Sequence, residues 1–323
     1  MKVAVLDDYQ RVAEGLADWE RLDAAVAFFH DHLDDEGAVA TRLAPFEIIS
    51  IMRERTPFPR SLFEKLPNLK LLTTSGMRNL AIDVEAANER GVIVCGTESP
   101  GNSTMELTWA LILALVRRIP PEDRATRAGR WQVTLGEEVH GKTLGIVGLA
   151  RIGSSVARVG LAFGMKILAW NPSLTKERAA EHGAELASSL DDLMRRADVV
   201  SIHVQLNERS RGLIGARQLA MLKPTAYLIN TSRGPLVDEA ALLTILREKR
   251  IAGAAIDVYD REPLPPDHPF LALENTVLTP HLGYVSLQQY QMFYPQMVED
   301  IEAWLRGSPI RVITPARAKA PHY

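Results

Sequence analysis

Residues 142–171 read KTLGIVGLARIGSSVARVGLAFGMKILAWN, and this stretch decides the fold of the chain. Its first apolar run ends at Gly148, and Gly148, Ala150 and Gly153 take the glycine positions of a G-x-G-x-x-G turn, with alanine in the middle. Apolar residues then recur at helical spacing, which predicts a helix, and the run 166–170 predicts a second strand. Glycine permits the tight bend, and the N–H groups at the start of the helix attract a pyrophosphate. The stretch predicts a dinucleotide-binding turn, with a glycine-rich packing turn as the alternative.

Length and composition narrow the function classes. The chain has 323 residues, enough for two domains, and its 46% hydrophobic and 24% charged residues are typical of a soluble globular protein. A net charge of −3 without a basic stripe argues against a nucleic-acid partner, and the longest apolar stretch, near 107–116, is too short to span a membrane. The single cysteine, Cys95, follows an apolar run and is expected to be buried. With no signal-peptide pattern at the start, these features predict a cytoplasmic protein.

Short apolar runs alternate with helical patterns along the chain. Alternating strands and helices predict parallel sheets covered on both faces, and so an α/β protein with two doubly wound domains. The predicted strands lie near 3–6, 26–29, 47–52, 69–73 and 92–94 before the glycine turn, and near 199–204, 226–229, 251–258 and 276–278 after it.

Two long helices are expected to connect the domains. An apolar helix at about 105–119, capped by Asn102 or Ser103, carries the chain into the cofactor domain. A final helix near 287–305 returns it to the first domain, which is therefore discontinuous. The segment 120–139 is predicted to be a linker. The basic C-terminal tail is expected to fray.

Three charged residues follow the last predicted strands. Arg233 comes after AYLIN, Glu262 after AAIDV and His281 after TVLTP. Ligands of open α/β sheets bind at the carboxyl ends of the strands, so we expect one shared crevice. An arginine fork matches a carboxylate, a histidine exchanges protons near neutral pH, and a carboxylate beside that histidine favours its protonated form. Each residue alone is ordinary, but together they predict reduction of a 2-oxo acid by a nicotinamide.

Longer motifs carry a family resemblance. They are SPGNSTMELTWALILAL at 99–115, VGLARIG at 147–153, LKPTAYLINTSRGPLVDEAAL at 222–242, GAAIDVYDREPLP at 253–265 and LTPHLG at 278–283. With them, the chain resembles the D-isomer-specific 2-hydroxyacid dehydrogenase family. The resemblance implies a Rossmann cofactor domain at 102–283, inserted into a discontinuous flavodoxin-like substrate domain at 1–101 and 284–323.

The resemblance also implies roles for individual residues. Arg233, Glu262 and His281 take the catalytic places, and Ser75 and Gly76 join Arg233 in binding the substrate carboxylate. Asp257 is expected to contact the nicotinamide carboxamide, and no metal site is implied. The implied cofactor-binding residues are Gly148, Ala150, Arg151, Ile152, Gly153, Asn171, Thr104, Thr231, Ser232, Asp257 and Gly283.

The implied activity is hydride transfer between nicotinamide C4 and substrate C2 of a small D-2-hydroxy acid or 2-oxo acid, with His281 exchanging the proton on the substrate oxygen. Glyoxylate, hydroxypyruvate and 3-phosphoglycerate stay open as substrates. The alternative from another class is a dinucleotide-sensing, co-repressor-like binding protein without turnover. The complete arginine, glutamate and histidine set favours the enzyme.

A homodimer built on the cofactor domains is implied by resemblance alone. Trp109, Leu111, Ile112 and Leu115 on the apolar helix are candidates for its interface, or for the interior of one subunit.

Departures from the family pattern concern the cofactor and the substrate. Ala150 places a methyl group where backbone approaches phosphate, and Asn171 stands where an acidic residue would bind the adenosine ribose. Without that charge nothing repels a 2′-phosphate, so NADP is not excluded. No arginine follows immediately, and NAD is favoured. Arg53, Arg55 and Arg78 lie in first-domain loops, where they could favour a second anionic group on the substrate. Most of them are expected to be solvated surface charges instead.

Overall fold

The computed structural model describes residues 1–99 and 102–316. Within them the chain forms two compact units, 1–99 with 286–316 and 102–285. Each unit is built on its own all-parallel sheet with helices between successive strands. The predicted α/β class with two parallel-sheet domains, one of them discontinuous, is confirmed.

The first unit contains a five-stranded sheet. Its strands are β1 (Lys2–Val5), β2 (Ala25–Phe28), β3 (Ile48–Ile51), β4 (Leu71–Thr74) and β5 (Ile93–Gly96), and the helices between them are α1 (Ala13–Leu16), α2 (Glu36–Leu43), α3 (Arg60–Lys65) and α4 (Val84–Glu89). The strand order β2-β1-β3-β4-β5 is that of a flavodoxin-like sheet. Strands β3 and β4 are buried throughout, as expected for the centre of a covered parallel sheet.

The apolar spacing of residues 12–22 predicts one continuous helix, but the structure forms only short helical segments there. After α1, Ala17 is extended, and only the short 3-10 turn Trp19–Arg21 follows. The Trp19 ring packs edge-on against Phe28, and its Nε1 donates to the Ala13 carbonyl at 2.8 Å. Tertiary packing of one aromatic residue therefore overrides the local helical preference.

The second unit begins with two helices and contains a seven-stranded sheet. Its strands are β6 (Thr143–Val147), β7 (Lys166–Trp170), β8 (Ala184–Leu186), β9 (Val199–Ile202), β10 (Tyr227–Asn230), β11 (Gly253–Ile256) and β12 (Thr276–Leu278). Its helices are α5 (Ser103–Val116), α6 (Ile119–Arg127), α7 (Arg151–Ala162), α8 (Lys176–Glu181), α9 (Leu190–Arg196), α10 (Ala216–Leu219) and α11 (Glu239–Arg247). The order β8-β7-β6-β9-β10-β11-β12 is the doubly wound Rossmann order with one added edge strand, and the switch point falls at β6.

Two expectations for residues 102–139 were wrong or incomplete. Asn102 takes the N-cap position of α5 but makes no capping bond, and the expected linker includes helix α6. Pro120 and Pro121 fall in the first turn of α6, where a backbone N–H has no helical partner to lose. The apolar face of α5 is interior: Trp109, Leu111, Ile112 and Leu115 are at most 5% exposed and pack within this unit.

The chain returns to the first unit through α12 (Leu287–Leu305). The expectation of a fraying tail was wrong for residues 311–313, which pair with β5: Gly96 N donates to the Arg311 carbonyl at 3.0 Å, and Ile313 N donates to the Val94 carbonyl at 2.8 Å. Residues 317–323 lie outside the described part. Across residues 1–99 and 102–316, every helix is too short or too polar to cross a membrane.

Candidate active site

The glycine turn is shaped by two close backbone contacts. Gly148, directly after β6, has φ +101°, and a Cβ there would lie 2.8 Å from the backbone C and O of His203. A Cβ on Gly153, in the first turn of α7, would lie 2.0 Å from the Gly148 carbonyl oxygen. Ala150 is exposed and extended, with φ −100° and ψ −160°, so its methyl group is accommodated without strain. The turn therefore requires glycine at its first and third positions only.

Helix α7 begins without a side-chain cap. Ala150 is its N-cap residue and makes no capping bond, whereas Asp238 caps α11 by accepting from Ala241 N at 3.0 Å. The N–H groups at the start of a helix have no intrahelical partner, and Arg151 and Ile152 contribute two of them here. The helix dipole adds positive potential at the same end. This turn fits the pyrophosphate of a dinucleotide.

Asn171 lies directly after β7, where the adenosine ribose of such a cofactor is bound. Its Oδ1 accepts from Ser173 N at 2.9 Å and from Ser173 Oγ at 3.2 Å. The carbonyl oxygen is thus occupied within its own turn, and the amide NH₂ is the group available to a ribose hydroxyl.

Asp257 is fully buried directly after β11. Its Oδ1 accepts from Thr279 Oγ1 at 2.6 Å and Leu282 N at 2.7 Å, and its Oδ2 accepts from Gly283 N at 3.0 Å. Burial raises the pKa of Asp257, while these three donors and the nearby His281 oppose the shift. The carboxylate therefore anchors the loop that carries His281, a role that the sequence pattern did not indicate.

Hydroxyl groups of α5 hold the other side of this loop. Ser103 Oγ and Thr104 Oγ1 donate to the Gly283 carbonyl at 2.8 and 2.7 Å. One turn further along, Thr108 Oγ1 lies 2.9 Å from Thr231 Oγ1 in a buried pair. The structure thereby brings Thr104, Thr231 and Gly283 together with Asp257.

Hydrogen bonds in the turn after β10 fix the backbone of Arg233, from which its side chain extends. Asn230 bonds it twice: its Oδ1 accepts from Ser232 N at 3.1 Å, and its Nδ2 donates to the Arg233 carbonyl at 2.9 Å. Ser232 Oγ also donates to the Val204 carbonyl at 2.6 Å. Asn230 was missed in the sequence, although an asparagine at a strand end followed by Thr-Ser is a turn signal.

Glu262 and His281 form a close pair. His281 Nδ1 lies 2.6 Å from Glu262 Oε2, and Glu262 Oε1 accepts from Tyr259 N at 2.9 Å. His281 has a left-handed backbone, φ +53°, with its N–H donating to the Asp257 carbonyl at 2.8 Å. A carboxylate at Nδ1 places the ring hydrogen there, which leaves Nε2 to exchange a proton.

Arg233, Glu262 and His281 come from neighbouring strands of one sheet edge. They follow β10, β11 and β12, which are adjacent and parallel, so all three leave the sheet at its carboxyl edge. Ligands of doubly wound sheets bind at this edge.

His203 is a further residue at this edge that the sequence did not single out. It follows β9, its Nε2 lies 2.8 Å from Ser201 Oγ, and its backbone lies against Gly148. Burial lowers the pKa of His203 to about 4, so the ring is neutral at physiological pH. The signal available in the sequence was a histidine near the end of a predicted strand.

Ser75 and Gly76 lie in the first unit, directly after β4. Ser75 is fully buried, and its Oγ accepts from Arg53 N at 2.9 Å. Gly76 has φ +82°, donates its N–H to Thr97 Oγ1 at 2.9 Å, and has the Arg53 guanidinium where a Cβ would stand. The loop therefore needs glycine at 76 and has a cation beside it.

The arginines of these loops are not solvated surface charges. Arg53, Arg55 and Arg78 are all partly buried. Arg55 donates to the Asp7 carbonyl and to Tyr290 Oη at 3.0 Å, and its guanidinium lies 4.4 Å from the centre of the Tyr9 ring. The expectation of mostly solvated arginines was wrong.

Comparison with known proteins tests the family. The sequence model of the NAD-binding domain of D-isomer specific 2-hydroxyacid dehydrogenases matches residues 109–283. The chain is also 42% identical to the glyoxylate reductase of Aeropyrum pernix over 258 residues, which are 76% of each protein. The chain belongs to the D-isomer specific 2-hydroxyacid dehydrogenase family. It is an NAD-dependent oxidoreductase, and NAD is its cofactor.

Other members of the dehydrogenase family are similar over most of this chain. The D-3-phosphoglycerate dehydrogenase of Methanocaldococcus jannaschii is 38% identical over 283 residues, which are 84% of this chain and 54% of that protein. This chain thus spans about half of that relative's length. The crystal structure of a phosphoglycerate oxidoreductase from Vibrio cholerae O395 superposes with a TM-score of 0.91 at 37% identity, covering 95% of this chain and 100% of the other.

Proposed function

We propose that this dehydrogenase interconverts a small 2-oxo acid and the corresponding D-2-hydroxy acid, with His281 as the acid–base residue. The observation that carries the proposal is the 2.6 Å contact between His281 Nδ1 and Glu262 Oε2. It places a carboxylate on one ring nitrogen, which orients the imidazole and directs proton exchange to Nε2. Arg233 provides the cation for the substrate carboxylate, because its planar fork matches that group.

The residues that would hold NAD occupy three places in the second unit. When bound, NAD supplies or accepts the hydride at nicotinamide C4. The turn at Gly148, Ala150 and Gly153, with the Arg151 and Ile152 N–H groups, would hold the pyrophosphate, and Asn171 the ribose. The remaining candidates would lie near the nicotinamide, and they are Thr104, Thr231, Ser232, Asp257 and Gly283.

The substrate loop of the first unit supports an anionic substrate. Ser75 and Gly76 would bind its carboxylate, and Arg53, whose guanidinium lies next to both residues, adds a positive charge. A cation beside a carboxylate-binding loop favours the charged form of the ligand.

A substrate and cofactor panel tests the activity. Glyoxylate and hydroxypyruvate with NADH or NADPH, and 3-phosphoglycerate with NAD or NADP, should give turnover with at least one substrate at the nicotinamide absorbance band. Tight NADH binding without turnover of any of these substrates would contradict the proposed interconversion of a small 2-oxo acid and its D-2-hydroxy acid.

We further propose a homodimer in which an exposed apolar segment of the second unit is buried. Trp131 and Leu135 are 78% and 92% exposed, although hydrogen bonds hold the backbone beside them in place. Glu122 accepts from Thr134 N, and Glu137 N donates to the Val116 carbonyl at 2.8 Å. Large apolar side chains on an ordered segment are typical of an interface. A cytoplasmic location remains a prediction.

A further inference from the structure

A carboxylate outside the proposed catalytic set contacts the loop that carries Glu262. Glu239, the first residue of α11, has Oε1 at 3.0 Å from His268 Nε2, and its Oε2 accepts from Asp260 N at 3.4 Å. The Glu239 and His268 side chains are 22% and 14% exposed, so both are largely withdrawn from water. The contact therefore joins α11, the 259–262 loop and the 3-10 turn at Pro269–Ala272.

The tautomer of the neutral His268 ring follows from its two hydrogen-bond partners. Its Nδ1 accepts from Phe270 N at 3.3 Å, so the hydrogen of the neutral ring lies on Nε2 and is donated to Glu239. Around the Asp260 carboxyl, the negative charges of Glu239 and Asp238 are opposed by Arg211 and His268. Burial, followed by the charges of Glu239 and Asp238, raises the pKa of the Asp260 carboxyl.

The same loop is packed against the turn that carries Arg233. A Cβ on Gly234 would lie 2.1 Å from the backbone C of Tyr259 and 2.6 Å from Asp260 N, so the two backbones are in direct contact. Tyr259 Oη donates to the Thr279 carbonyl at 3.0 Å, which ties the loop to the segment before His281. The Glu239 side chain, on α11, accepts from Asp260 N. This bond holds the loop two residues before Glu262.

We propose that Glu239 and His268 are positioning residues that hold the 259–262 loop so that the Glu262 carboxylate stays against His281 Nδ1. This inference rests on the proposed acid–base role of His281. His268 orients the Glu239 carboxylate, Glu239 holds the Asp260 peptide, and the loop presents Glu262. Neither residue touches substrate or cofactor in this scheme.

Three substitutions separate positioning from general stability. His268→Asn retains an acceptor where Nδ1 caps Phe270 N, but it loses the donor to Glu239. His268→Gln retains a donor that reaches Glu239 but loses the cap. Glu239→Gln keeps the side-chain shape and removes the charge. The control is Glu248→Gln, at the other end of α11, where Glu248 is 54% exposed and forms an ion pair with the exposed Arg250 at 3.6 Å.

The measurements are the turnover of 2-oxo acid reduction and the NMR signal of the His281 Nδ1 proton, which reports the hydrogen bond to Glu262. A loosened loop lets the Glu262 carboxylate leave Nδ1, so the imidazole is no longer held with Nε2 ready to exchange a proton. Glu239→Gln and His268→Asn should lower turnover about tenfold, well short of the ~10²–10⁴-fold expected when the acid itself is removed. Both should also weaken the hydrogen-bonded Nδ1 proton signal of His281, with unchanged NAD affinity, whereas His268→Gln and Glu248→Gln should resemble the wild type.

A wild-type Nδ1 proton signal of His281 in Glu239→Gln and His268→Asn would overturn the inference. So would His268→Gln being as impaired as His268→Asn, because the cap at Phe270 would then explain the effect. Absence of turnover in the wild type would overturn the proposed function instead. The NMR signal of the His281 Nδ1 proton still decides the inference in that case, because it needs no substrate.

Discussion

His281 is held by its backbone as well as by its ring. Its left-handed φ of +53° and the bond from its N–H to the Asp257 carbonyl fix where the side chain starts, and Glu262 fixes Nδ1. The sequence could predict the Glu262 and His281 pair because both residues follow strands of one sheet edge. It could not predict the anchoring role of Asp257, because burial and three converging donors exist only once the loops are folded.

Replacing His281 by asparagine should remove the proton exchange but not the cofactor site. We expect turnover to fall by about 10²–10⁴-fold, the usual contribution of a positioned acid–base group. NADH affinity, measured by fluorescence titration, should stay within about threefold of the wild type, because no residue of the glycine turn changes. Turnover near the wild-type level would contradict the acid–base assignment.

Asn171 offers a direct test of cofactor selection. Asn171→Asp places a negative charge where the adenosine ribose is expected, so it should repel a 2′-phosphate and accept hydrogen bonds from both hydroxyls of NAD. The ratio of the NADPH to the NADH dissociation constant should rise about tenfold in competitive titration. Ser173→Ala is the matched control, because it removes one of the two bonds to Asn171 Oδ1 without adding charge. An unchanged ratio of the two dissociation constants would contradict binding of the adenosine ribose at Asn171.

Elements with a long or regular pattern were predicted from the sequence, and short or packing-dependent ones were not. The strand, turn and helix of residues 142–171 and the final helix agree with the structure. Strand β8 has three residues, too few to show a period, and was missed. The segment that contains α6 was predicted to be a linker, although its prolines stand in the first turn of the helix, where proline is tolerated. The pairing of residues 311–313 with β5 is a long-range contact, which local pattern does not contain.

The segment that pairs with β5 is tied to α12 by a buried ion pair with a testable pH dependence. Arg311 Nε lies 2.9 Å from Asp300 Oδ1, and Asp300 is fully buried. Burial raises the pKa of Asp300 to about 7, against the opposing effect of Arg311. An acid whose folded pKa is raised stabilises the fold at low pH, and this contribution is lost as pH rises through the folded pKa. The free energy of unfolding should therefore fall from about pH 4 to above pH 7.

Asp300→Asn should flatten this dependence, because the amide oxygen still accepts from Arg311 and carries no charge. At pH 8 we expect a gain of order 1–4 kcal/mol over the wild type, from the 1.36 kcal/mol carried by each pKa unit. Urea unfolding at pH 5 and pH 8 measures it. Asp18→Asn, at an exposed carboxylate of the same unit, is the control. Equal pH dependence of the free energy of unfolding in the wild type and Asp300→Asn would show that Asp300 does not cause it.

At the scale of the whole molecule, the sequence predicted the architecture but did not locate the exposed apolar surface. Two all-parallel sheets follow from regular alternation of apolar runs and helices, which is a property of the entire chain. Exposure depends on which face of each helix the sheet covers. The apolar residues of α5 were interface candidates, yet they pack inside the second unit, and Trp131 and Leu135 are exposed instead.

The proposed dimer is tested by charging this segment. Trp131→Glu together with Leu135→Glu puts two carboxylates on side chains that are 78% and 92% exposed, so the fold of one subunit should tolerate them. Buried in an interface, the same charges would be unpaired and costly, and the dissociation constant should rise at least about a hundredfold. Sedimentation velocity over a concentration series measures it. Leu287→Glu, at an apolar residue that is 57% exposed in the other unit, should leave the assembly unchanged. A dimer that persists in the double variant would place the interface on another surface.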